Sequence, residues 1–157
     1  MILERMPLGG GSTGNADMEE KSLDIETLKR AVNALEKNIA VYDANVPNGD
    51  AELKDALRSS VIHNFEVAYE LCWKYMKKWL EINVEQNILI GNTRREFYRI
   101  ARDNGLISDV KMWWGFHDAR NRTSHTYNEL IAESVFNAAI DFVPIAKKYA
   151  ADLEARL

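Results

Sequence analysis

The sequence predicts an all-α protein, an antiparallel four-helix bundle of up-down order with one additional short helix. Every long segment after Asp24 spaces its apolar residues three and four apart, the helical period. No segment alternates apolar and polar residues between turn signals, as a half-buried strand would. Turn and cap residues divide the rest into helices joined by short connections, which makes neighbours antiparallel.

The first helix carries Ile25, Leu28, Val32, Leu35, Ile39 and Tyr42 as one apolar stripe, and Pro47-Asn48-Gly49 stops it. Asp50 can cap a second, long helix running to about Ile82. That helix has two stripes. Leu53, Leu57, Val61, Phe65, Ala68, Cys72, Met76 and Trp79 form one, and Ile62, Tyr69, Trp73 and Leu80 form the other. So broad an apolar arc places it centrally, touched by more than one neighbour. Thr93 and Glu96 fit a capping box opening a short third helix, which Asn104-Gly105 closes with Leu106 placed for a Schellman contact. Ser108 or Asp109 caps a fourth helix. The last runs from near Asn128 to the C-terminus with Ile131, Val135, Ala138, Phe142, Ile145, Tyr149 and Leu153 inward, and Pro144 should kink it.

The chain has 157 residues, enough for one domain with a proper core. A net charge of −4 and a pI of about 5.4 argue against non-specific coating of nucleic acid, while leaving room for a local basic site. Cys72 has no partner for an internal disulfide. It reads as a core residue in a reducing, cytoplasmic setting. No apolar run approaches the roughly 18–20 residues of a membrane span. The segment "GGGSTGNAD" is linker-like and precedes Met18, so residues 1–21 read as a disordered leader or tag and 22–157 as the folded domain.

The stretch "RNRTSHTY", Arg120 to Tyr127, falls at the junction of the fourth and fifth helices. Thr126 and Glu129 fit a second capping box there. Arg120 and His125 are about 140° apart on a continuous helix, so only a break between them lets both side chains converge. One reading is a solvated helix end, with arginine complementing the dipole and polar residues suiting a turn. The other is phosphoryl transfer within RNA. Imidazoles titrate near neutrality and can move the 2′-hydroxyl proton or protonate the leaving oxygen. A guanidinium stabilises charge developing on the phosphate. Such a site calls for no metal or other cofactor, and the sequence has no cluster at metal-ligand spacing. His63 and His117 are lone histidines on helices and read as satisfied polar residues.

These residues resemble a family. "RNRTSH" fits the R-x4-6-H signature of HEPN domains, and "RNRTSHTY" the R-x4-H-x-Y form of HepT-like toxins. "RSSVIHNFEVAYELCWKYMKKWLE" is similar to the long second helix of the same group, often named nucleotidyltransferase substrate-binding proteins. With "REFYRIARDNGLI" the likeness covers roughly Leu23 to Leu157. The resemblance implies a four-helix bundle that forms a homodimer, bringing two motifs into one cleft. It also implies a minimal nucleotidyltransferase partner. HepT-like members are ribonuclease toxins, neutralised when that partner transfers AMP to the motif tyrosine. Carried over, Arg120 and His125 are catalytic, Asn121 supports them and Tyr127 is the modified hydroxyl. The older family name keeps a second possibility open, a non-catalytic subunit presenting substrate to a nucleotidyltransferase. A bundle serving only in assembly is the third.

Arg95, Arg99 and Arg102, with Arg94 beside them, share a face of the third helix. They read either as a solvated face or as a guide for an RNA backbone. Trp113, Trp114 and Phe116 suit core or dimer packing, with base stacking as the sharper reading. Lys74, Lys77 and Lys78 read as the polar side of the second helix.

Overall fold

A computed structural model describes residues 24–157. The expected leader or tag at 1–21 lies outside the described residues. These form five α-helices and no strand. α1 spans Ile25–Asn45, α2 Ala51–Asn83, α3 Arg94–Asp103, α4 Val110–Asn121 and α5 Glu129–Glu154. Short 3-10 turns at Val46–Asn48 and Thr123–His125 join α1 to α2 and α4 to α5. α1, α2, α4 and α5 build the antiparallel bundle. α3 is the additional short helix and packs on α4.

Local chemistry sets most helix ends as the sequence predicts. The Asp50 carboxylate accepts from Leu53 N–H at 2.8 Å and opens α2. Thr93 and Glu96 make the reciprocal capping box of α3. Gly105 takes φ +76°, a conformation that disfavours any Cβ, and so ends α3. Leu106 N–H then reaches the Ala101 carbonyl at 2.9 Å, and its side chain is buried, completing the Schellman ending. Asp109, not Ser108, caps α4.

Two expectations change in detail. α5 is capped by Asn128, whose side chain accepts from Leu130 and Ile131 N–H, because the 3-10 turn diverts Thr126 to the Thr123 carbonyl. Glu129 therefore closes no capping box; it pairs with Arg58. Leu53 is exposed, since the first turns of α2 have little of the bundle beside them. α5 continues as one helix through Pro144, which is exposed, so the carbonyl it leaves without a donor lies toward solvent.

The core centres on Trp113 of α4. Its ring meets Phe116, Phe142 and Tyr149 edge-on at 5.4–5.9 Å. Trp113 and Phe116 thus follow the packing reading, whereas Trp114 stays half-buried. Cys72 is fully buried, and burial pushes its thiol pKa up, which keeps it protonated. No described helix is long and apolar enough to cross a membrane.

Candidate functional site

α4 ends at Asn121, and the 3-10 turn that follows supplies the break that Arg120 and His125 need. The turn closes through His125 N–H to the Arg122 carbonyl at 3.0 Å and Asn128 N–H to the His125 carbonyl at 3.1 Å. Seven residues therefore carry the chain from the last turn of α4 to the cap of α5, and each side chain has a defined address.

Arg120 is held by α2. Its Nε donates to Glu70 at 3.0 Å and its Nη2 pairs with Glu66 at 3.2 Å. Its Nη1 donates to Thr123 Oγ1 at 3.3 Å, and that hydroxyl donates to the Arg120 carbonyl at 2.8 Å. One edge of the guanidinium is thus fixed by carboxylates, while Nη1 points to the turn that carries His125. His125 and Tyr127 are both exposed, their rings edge-to-face at 6.0 Å, and Tyr127 is 87% exposed. Among the described residues, Arg120 and His125 share no hydrogen bond; the break places both at one junction without joining them. Arg122 has a different task. It pairs with Asp118 at 3.2 Å and donates to Ser134 Oγ at 2.9 Å, tying the end of α4 to α5.

Asn121 leads inward. Its Nδ2 lies 3.3 Å from His117 Nε2, and His117 Nδ1 lies 3.2 Å from the Tyr69 hydroxyl. Tyr69 also meets the Tyr98 hydroxyl and accepts from Arg94 Nη1 at 3.2 Å. Burial and then the Arg94 charge hold the His117 pKa below its ordinary 6.5, favouring the neutral ring. Burial raises Tyr69 to about 12. His117 is thus a satisfied polar residue, as the sequence suggests, but it is not isolated. His63 is exposed on α2.

The third-helix arginines divide. Arg94 turns inward and stacks on Trp73 at 4.0 Å. Arg95, Arg99 and Arg102 line a groove with Val110, Lys111 and Trp114. Of the lysines on α2, Lys77 pairs with Glu81 at 3.6 Å on the polar side. Among the described residues, no group of three His, Cys, Asp or Glu side chains is placed to hold a metal ion.

Sequence reasoning missed Glu66, Glu70 and the Tyr69–Tyr98 pair as neighbours of the motif. The spacing of the two glutamates, one helical turn apart beside the apolar stripes of α2, was the available signal.

Comparison with known proteins now adds to the geometry. Residues 23–155 match the family model described as nucleotidyltransferase substrate binding protein like. The chain is 32% identical over 129 residues to "Probable ribonuclease HepT" of Haemophilus influenzae (strain ATCC 51907 / DSM 11121 / KW20 / Rd), covering 80% of this chain and 88% of that protein. It also superposes on the solved structure of HI0074 from Haemophilus influenzae, described as the fold of a substrate binding domain of a nucleotidyltransferase. There the TM-score is 0.76 at 30% identity, over 83% of this chain and 99% of that one. The all-helical fold, the family match and these two likenesses agree: the chain belongs to the HepT-like family of nucleotidyltransferase substrate-binding proteins.

Proposed function

We propose that the protein is a metal-independent endoribonuclease toxin, paired with a minimal nucleotidyltransferase that silences it by transferring AMP to Tyr127. The observation that carries this reading is the division of labour between the two motif arginines. Arg122 is spent on structure. Arg120 is fixed along one edge by Glu66 and Glu70 and presents Nη1 to the turn bearing exposed His125. An RNA phosphate bound at that turn meets a pre-oriented guanidinium donor beside an imidazole.

In the cleavage step, the ribose 2′-oxygen attacks the adjacent phosphorus and its proton passes to an imidazole. The bond to the 5′-oxygen breaks, and that oxygen takes a proton from a second imidazole. The products are a 2′,3′-cyclic phosphate and a 5′-hydroxyl. One chain has a single His125, so the acid and the base come from two copies facing one groove in a homodimer. Asn121 supports the phosphate from the end of α4. In the silencing step, the Tyr127 oxygen attacks the α-phosphorus of ATP, pyrophosphate leaves and the phenol proton is lost. The added AMP brings bulk and negative charge to the place of the RNA phosphate.

A second reading is a non-catalytic subunit that presents substrate to the nucleotidyltransferase. The two carboxylates on Arg120 favour it, because they offset the charge an RNA phosphate would meet. Expression of the chain without its partner separates the two. The toxin reading expects growth arrest, lost in His125→Ala and relieved by the partner. Growth unaffected by the wild-type chain favours the binding subunit.

A further inference from the structure

We propose that the groove between α3 and α4 is a binding track for a single RNA strand that leads to the motif, with Trp114 as its stacking platform. The inference rests on the ribonuclease reading for its direction, and on the groove's own chemistry for its ligand.

Six side chains line this groove, and four are cationic: Arg95, Arg99 and Arg102 from α3 and Lys111 from α4. No acidic residue is among them. Asp103 lies beside the groove and pairs with Arg102 at 3.2 Å, leaving three cations without that compensation among the described residues. The chain carries 24 acidic residues against 20 basic ones, so four cations around one groove run against its overall charge. The fifth polar-capable wall is aromatic. Trp114 is half-buried, and Arg95 sits over its ring at 4.7 Å. A line of cations with an indole among them is what a single strand needs: charge for its phosphates and, once the Arg95 guanidinium swings from the ring to a phosphate, a flat face for a base. An acidic protein surface would use the charge but has no flat base to place on the indole.

A stripe of side chains on α4 also leads from the groove to the motif. Lys111, Trp114, His117 and Asn121 follow one another at three, three and four residues on α4, so they form one stripe. From Trp114 onward the side chains are neighbours in space. The Trp114 and His117 rings lie 5.4 Å apart, and His117 meets Asn121 at 3.3 Å. From Lys111 to Asn121 the helix rises about 15 Å, a path of a few nucleotides. A strand laid along α4 with its phosphates on Arg99 and Lys111 reaches Asn121 and the turn of Arg120 and His125.

The test measures binding of a labelled single-stranded oligoribonucleotide to the His125→Ala protein, which keeps the RNA whole, over a salt series. Three phosphate contacts give a slope of log affinity against log salt of about −2, and the Arg99→Ala/Lys111→Ala pair lowers its magnitude by about 1.4. Trp114→Ala weakens binding roughly five- to a hundred-fold, and Trp114→Phe restores most of it. Arg99 and Lys111 are exposed, so their variants fold whatever Trp114→Ala does. Unchanged affinity and slope in these variants overturn the proposal. So does a polyglutamate peptide that binds as tightly and is lost in the same variants, which assigns the groove to an acidic protein. Wild-type cleavage unaffected by the groove variants leaves the ribonuclease standing and removes the track. Binding with these losses but without cleavage does the reverse.

Discussion

Arg120 and Arg122 stand two residues apart and are chemically identical, yet their surroundings give them opposite tasks. Arg120 meets α2 carboxylates along one edge, a geometry that only a planar fork satisfies. Arg120→Lys is therefore expected to lose cleavage nearly as fully as Arg120→Ala, while each costs only about 1 kcal/mol of stability because the ion pairs are partly exposed. Arg122→Ala should cost a similar amount of stability, about 1 kcal/mol, yet retain cleavage. Parallel melting and cleavage assays check the contrast, and a fully active Arg120→Lys protein contradicts it. Tyr127 is almost fully exposed and makes few packing contacts. Tyr127→Phe should keep at least part of the cleavage activity and gain no mass when incubated with the partner and ATP, whereas wild type gains one AMP. Equal gain in both forms would move the modification elsewhere.

Among the elements, the α2–α5 contact holds the least expected residue. Arg58 is buried, and it donates to Glu129 at 2.6 and 2.8 Å and to Glu133 at 3.3 Å. It thereby anchors the first turn of α5, directly after the motif. Arg58→Ala leaves carboxylates that are largely exposed and can rehydrate, so the cost falls below that of a fully buried pair, about 1–2 kcal/mol in denaturant unfolding. The hydrogen bond from Arg58 holds the Glu129 pKa below its ordinary 4.5. Its share of stability is therefore present above 4.5 and lost as pH falls through the lower folded value. Acid unfolding of Arg58→Ala should show a shallower loss over that window, and an identical acid profile would remove Glu129 as its source. The helices themselves were legible because stripes and caps are local: Asp50, Thr93–Glu96 and Gly105 act on their own neighbours. Arg58 was not legible, because it interrupts no stripe and its partners lie 71 and 75 residues away. Thr126 misled for a related reason. Two capping geometries compete within three residues, and the 3-10 turn decides between them.

For the whole molecule, the motif was legible as a pattern, but its clamp was not. Arg120, Asn121, His125 and Tyr127 lie within eight residues of sequence, whereas Glu66 and Glu70 reach them only through the packing of α2 beside α4. A single His125 per chain also makes the proposed chemistry depend on assembly. Light scattering should find a homodimer, and crosslinks from a cysteine placed at Ser124 should join the two copies. Monomers at working concentration, or copies whose motifs cannot be crosslinked, would remove the second imidazole. Cleavage by Arg120 and His125 without a metal underlies both the proposed toxin and its silencing. Its most direct measurement is the end chemistry of RNA incubated with purified protein in excess chelator, for wild type and His125→Ala. Wild type is expected to leave 2′,3′-cyclic phosphate and 5′-hydroxyl ends and His125→Ala to leave the RNA intact; cleavage that requires added magnesium, or that survives in His125→Ala, rules this chemistry out.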